Sequence, residues 1–251
     1  METDAGERGT ADRVARPVKT ILLLLGAAKL GKVALTGGTM LLSMVTYSFV
    51  FGWRYAVGFV LLIFFHESGH YVAAKQRGLN VGAPTFIPFV GAWIQLKDQP
   101  HDVETEAYVG IAGPVAGTIA ALACYYASEA LGNRLLLALA YAGFMINIFN
   151  LIPLSPLDGG RITAVLSPRV WWIGAPILVG LFMVRPSPML ILVAILAAPH
   201  LLATMGRGTG PMPARYYAVS PRTRLTYGAY YLGLAAFLGV MTYETHHMLG
   251  A

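Results

Sequence analysis

From residue 21 onward the chain reads as a series of long apolar runs broken by short basic or polar punctuation. The run 33–53 lies between Lys32 and Arg54, and the run 55–74 ends at Lys75 and Arg77. Further runs cover about 107–128, 135–152, 170–184, 188–205 and 226–243. A spanning helix needs roughly 20 apolar residues at about 1.5 Å each. The pattern therefore predicts an all-α polytopic membrane protein with six to seven transmembrane helices, the count turning on whether 170–205 holds one or two. The segment 20–32, cut by Lys29 and Lys32, is too short to span and predicts an interfacial helix. Residues 79–105 break the pattern. The stretch "PTFIPFVGAWIQLKDQP" is rich in proline and strand formers and predicts a short β-containing loop at the membrane surface.

Composition supports this reading. Of 251 residues, 56% are hydrophobic and 12% charged, about half the charged share usual for a soluble chain. The net charge of +6 would raise nucleic acid as a partner in a soluble protein. Here the basic residues sit at the ends of apolar runs and read as anchors facing anionic lipid. The basic residues from Arg8 to Lys32 place the N-terminus in the cytoplasm by the positive-inside rule. Lys75 and Arg77 then bring the chain back to that side, together with the 79–105 and "LSPLDGGRI" loops. Residues 1–19 are polar, lack a signal-peptide core, and are expected to form a disordered cytoplasmic tail. The membrane-embedded domain is expected over 33–205, followed by a basic linker and last helix over 206–251. The single cysteine, Cys124, allows no internal disulfide.

One apolar run carries chemistry. "LLIFFHESGHYVAAK" sets His66, Glu67 and His70 inside a predicted span. A glutamate at that depth costs at least a few kcal/mol unless it is paired or faces water. His66 and His70 are four apart and share one helix face. H-E-x-x-H is the helical zinc signature, in which two imidazoles bind Zn²⁺ and the glutamate acts as general base. Polar adhesion between helices is the plain alternative. A hydrolytic zinc wants a third protein ligand. Of the acids in apolar surroundings, Glu129 and Glu244 lie toward the far side, whereas Asp158 stands on the Pro/Gly-bent loop "NLIPLSPLDGGRI" after an inward-running helix. Lys75 marks the inner surface, which puts the histidines about 8–14 Å below it.

"HESGH", then "GIAGPVAG", then "NLIPLSPLDGG" resembles the site-2 protease family of intramembrane zinc metalloproteases (the M50 type). The resemblance covers roughly 55–165, the catalytic core. It implies His66, His70 and Asp158 as zinc ligands, Glu67 as catalytic base, and Asn150 as a hydrogen-bond donor to substrate or oxyanion. It implies a metalloendopeptidase that cuts in or near transmembrane segments of membrane-protein substrates. The chain resembles the compact members, without the PDZ or CBS module of larger relatives. A prokaryotic plasma membrane suits this form.

Around the core, other positions are weighed. Phe89, Trp93 and Ile94 are expected to contact substrate, as part of a strand edge to which an extended segment could add; the same loop could instead only plug the site. Gly113 and Gly117 form a G-x-x-x-G packing face. Asn147, a turn before Asn150, supports the site or bonds between helices. Trp53, Trp171 and Trp172 read as interfacial residues, Arg161 as a cytoplasmic anchor or a partner of a site carboxylate, His200 as structural rather than a gate, and His246 and His247 as an exposed tail rather than an outer metal site. Two other function classes remain open: a metal-ion transporter with a transient His66/His70/Asp158 site, and an inactive scaffold that binds transmembrane helices.

Overall fold

The computed structural model describes residues 31, 34–89, 91–93, 99–207 and 211–251. The expected tail at 1–19 and nearly all of the expected interfacial helix lie outside these residues. So does Ile94. Eight α-helices occupy most of the described chain: α1 Ala34–Phe51, α2 Trp53–Gln76, α3 Val103–Leu131, α4 Arg134–Asn150, α5 Asp158–Thr163, α6 Trp171–Val184, α7 Pro188–Arg207 and α8 Pro221–Gly250. Strands β1 Thr85–Ile87 and β2 Gly91–Trp93 pair antiparallel, with Thr85 opposite Trp93 and Ile87 opposite Gly91.

Seven apolar helices match the seven apolar runs. Five of them are long and apolar enough to cross a membrane: α1, α2, α3, α7 and α8. The helices over Arg134–Asn150 and Pro168–Val184 are shorter. The "FGWRY" turn is a break at Gly52, whose φ of 79° a side chain would resist.

Local chemistry sets the ends that matter for the site. α2 stops where Gly78 adopts φ 73°. The Gly78 amide donates to the Lys75 carbonyl and the Leu79 amide to that of Ala74, closing the orphan carbonyls of the last turn. Leu79 is thereby tucked against Ala73, Ala74 and Val109. α3 starts at Asp102, whose carboxylate accepts from the Thr105 amide at 2.7 Å. Gly132, at φ 60°, ends it, and Asn133 caps α4 by accepting from the Leu135 and Leu136 amides. Two residues thus reverse the chain and lay α4 beside α3.

The core is the α2–α3–α4 bundle, with α8 against α4 and α5 tucked beneath α3. Polarity is inverted relative to a soluble fold. Phe49, Leu131, Met183 and Leu225 face outward, as expected where the surroundings are lipid. His66, His70, Asn147 and Asp158 are buried.

Four readings are corrected. Trp171 is not interfacial: it is buried and its indole N–H donates to the Gly160 carbonyl at 2.8 Å. Arg161 is not a solvent anchor, since its guanidinium faces Asp158 and Glu106. His246 and His247 are exposed, as read, but belong to the last turns of α8 rather than to a tail, with the His246 ring 5.4 Å from that of Tyr141. The 206–225 linker is more than a connector. It contains a 3-10 turn over Ala214–Tyr217 that buries Tyr216, and Arg224 donates from there to the carbonyls of Leu166 and Tyr217.

The hairpin is held to α1 by three hydroxyls. Thr36 donates to the Pro84 carbonyl at 2.7 Å, while Thr39 and Tyr47 accept from the amides of Phe86 and Phe89. Thr36→Val with Thr39→Val should free it, so limited proteolysis within 84–100 should speed up several-fold while the helical circular dichroism stays the same.

Candidate metal centre

His66 and His70 lie one turn apart on α2 and Asp158 opens α5. The fold brings the three together. His66 Nε2 is 3.1 Å from Asp158 Oδ2, His70 Nε2 is 3.2 Å from the same oxygen, and the two Nε2 atoms are 3.1 Å apart. All three residues are buried.

What the outer ring nitrogens do decides the chemistry of this cluster. His70 Nδ1 is 2.8 Å from the Val109 carbonyl and His66 Nδ1 is 2.8 Å from Asn147 Oδ1. A carbonyl can only accept, so His70 Nδ1 carries the proton. Asn147 is oriented by its own amide nitrogen, which donates to the Gly143 carbonyl at 2.7 Å. Its Oδ1 therefore faces His66 and accepts. With both Nδ1 positions protonated, each imidazole in its neutral form turns its Nε2 lone pair inward, toward a carboxylate oxygen. Three acceptors at about 3 Å repel unless a cation lies among them. Donors tetrahedrally placed at about 2.0–2.1 Å from zinc would be about 3.3 Å apart, and two imidazoles with one carboxylate is a catalytic zinc set that leaves a position open. The residues present fit the ion. Among the described residues this is the one cluster of three or more such groups able to hold a metal.

Three glycines on one face of α3 make the approach of these groups possible. A Cβ on Gly113 would collide with the His70 imidazole, one on Gly117 with the Asn147 amide, and one on Gly110 would crowd Arg161 and Ile162 on α5. The "GPVAG" face thus seats both α2, through Gly113, and α4, through Gly117. Gly69, on α2, meets the Ala112 carbonyl in return. Gly159 and Gly160 press α5 against the backbone of 151–155 in the same way.

Glu67 and Asn150 line a cavity of about 400 Å³ beside the cluster, together with His66. Its other walls include Tyr47, Phe59, Phe89 and Met189. Asn150 Nδ2 donates to the Ile146 carbonyl at 3.0 Å, which fixes the amide at the cavity wall. Phe89 sits at the hairpin tip with φ 62°, a conformation that is strained for an aromatic residue. Its ring meets that of Tyr47 edge-on at 5.2 Å. Phe89 and the β2 residue Ala92 therefore reach the cavity. Trp93 is placed by its backbone at the end of β2.

Asn147 was legible as a polar residue within a span, but nothing in the sequence tied it to His66. The Val109 carbonyl carried no side-chain signal at all.

The sequence model of peptidase family M50 matches residues 54–133, a stretch that contains His66, Glu67 and His70 and ends before Asn150 and Asp158. The zinc metalloprotease MJ0392 of Methanocaldococcus jannaschii is 35% identical over 124 residues, covering 46% of this chain and 36% of that protein. The Arabidopsis thaliana protein named probable zinc metalloprotease EGY1, chloroplastic, is 36% identical over 67 residues, 25% of this chain and 12% of that one. The chain thus spans about a third or less of the length of these relatives.

Gly113→Ala should displace the His70 ring. Zinc bound per purified chain, read by mass spectrometry, should fall sharply, whereas Gly180→Ala, where an added Cβ meets nothing within 4 Å, should leave it unchanged.

Proposed function

We propose that this protein, whose residues 54–133 match the model of peptidase family M50 and which is similar to two proteins named as zinc metalloproteases, is a zinc metalloendopeptidase that hydrolyses peptide bonds in or near transmembrane segments of other membrane proteins. The single observation that carries the reading is the inward turn of three lone pairs from His66, His70 and Asp158 beside a cavity that holds a glutamate.

In this reading His66, His70 and Asp158 hold Zn²⁺. The ion supplies Lewis acidity to a peptide carbonyl and to water at neutral pH. Glu67, one residue from a ligand and facing the cavity, takes a proton from the attacking water. It returns that proton to the amine as the C–N bond breaks. Asn150 donates a hydrogen bond to the carbonyl oxygen as charge grows there. Tyr47, Phe59, Phe89 and Met189 exclude bulk water and offer an apolar wall to the substrate's side chains. A peptide must leave its helix to be cut, because helical carbonyls are already bonded. An extended stretch can pair with the hairpin edge formed by β2, beside Phe89 and Trp93.

The five long apolar helices support an integral membrane protein. The basic N-terminal segment supports a cytoplasmic N-terminus, with cleavage near the cytoplasmic face of a prokaryotic plasma membrane. Transport of metal ions would call for polar groups strung across several spans. The clustering of potential ligands at one depth favours hydrolysis instead.

Wild type and Glu67→Gln should bind equal zinc in detergent. Cleavage of a transmembrane model peptide should drop at least about a hundredfold in the variant and vanish in wild type with 1,10-phenanthroline. Cleavage retained by Glu67→Gln would refute its role. Asp158→Ala should lose zinc; unchanged zinc content would remove Asp158 from the ligand set.

A further inference from the structure

We propose that Arg161 is a positioning residue for Asp158, and that Glu106 and Tyr216 hold Arg161 in turn, so that the segment between α7 and α8 is tied to the metal centre. The proposal rests on the reading of Asp158 as a zinc ligand.

Asp158 turns one oxygen, Oδ2, toward both imidazoles. Its other oxygen, Oδ1, lies 3.6 Å from Arg161 Nη1, one turn along α5. Arg161 Nε is 4.0 Å from Glu106 Oε1 on α3. The Tyr216 hydroxyl donates to Glu106 Oε2 at 2.6 Å. Four side chains from α5, α3 and the 214–217 turn thus form one line leading away from the cluster. Gly110 gives the line room, because a Cβ there would crowd Arg161.

The order of charges has a physical logic. A carboxylate that offers one oxygen to a metal can swing about its Cβ–Cγ bond unless the second oxygen is held. Arg161 holds it. A lone guanidinium so near a cation would weaken binding, and Glu106 offsets that charge. Tyr216 occupies the far oxygen of Glu106 and leaves the near one to Arg161. Burial and the Glu106 carboxylate keep the Tyr216 phenol well above its ordinary pKa, so it stays a donor. Arg161 Nη2 is buried and has no hydrogen-bond partner among the described residues, which leaves the two carboxylates to orient the guanidinium. Partners that orient a metal ligand typically change metal affinity about 10–100-fold when removed.

The test uses the full chain in detergent, with zinc affinity measured by competition against a chromophoric chelator. The visible spectrum of the cobalt(II)-loaded protein serves as a second readout of ligand geometry. Arg161→Met should weaken zinc roughly 10–100-fold and alter the cobalt spectrum, and Arg161→Lys should recover part of both. Tyr216→Phe, which removes one oxygen and keeps the ring in the core, should weaken zinc several-fold and should add little in the Arg161→Met background. It reports even where Arg161→Met fails to fold. Wild-type zinc affinity and cobalt spectrum in Tyr216→Phe, or losses that simply add in the double variant, would overturn the linkage. Unchanged affinity in Arg161→Met beside a clear loss in Asp158→Ala would overturn the role of Arg161 while sparing the ligand assignment. Unchanged affinity in Asp158→Ala would remove that assignment and this proposal together.

Discussion

The repulsion among three inward-facing acceptors is the constraint around which the rest is arranged. His66 Nε2, His70 Nε2 and Asp158 Oδ2 lie within 3.2 Å of one another, and while both rings are neutral no donor lies between them. That crowding is tolerable only around a positive charge. It is enforced from behind, by a backbone carbonyl on one imidazole and a side-chain amide on the other. Each of these partners comes from a different helix, α3 and α4. The relative placement of three helices is therefore written into the protonation of two rings.

Such placement is hard to achieve between helices in lipid, where no hydrophobic drive presses them together and close packing must do the work. Here packing is achieved by subtraction. Gly110, Gly113 and Gly117 remove the side chains that would separate α3 from α5, α2 and α4. The polar groups that result are costly at this depth, and the cost is offset by pairing them with one another. Tyr231 extends the principle, with its hydroxyl donating to the Leu151 carbonyl at 2.7 Å on the chain leading into α5.

Much of this was legible in the sequence because the signals were periodic or chemically rare. Apolar runs located the helices. His66, Glu67 and His70 declared themselves by spacing on a helix. Asp158 could be singled out because a carboxylate beside Pro156 and Gly159 is unusual near a span. What escaped was tertiary. Trp171 reads as an interfacial aromatic until the Gly160 carbonyl is found within reach of its indole. Arg161 reads as a membrane anchor or as a partner of a site carboxylate; only the fold selects the pairing and sets Glu106 against it as well. Tyr216 lies 110 residues from Glu106 in sequence, in a stretch whose arginines draw the eye instead.

The cavity beside the cluster is lined by His66, Glu67 and Asn150 together with mostly aromatic and aliphatic side chains. A hollow built this way sorts its contents by orientation as well as by identity. A chain lying in it can satisfy amide groups only where they meet those three residues, and elsewhere must shed water onto side chains such as Phe59 and Met189. Direction and facing of the guest are thus selected before any single side chain is read, and residues of quite different shape can share the same berth.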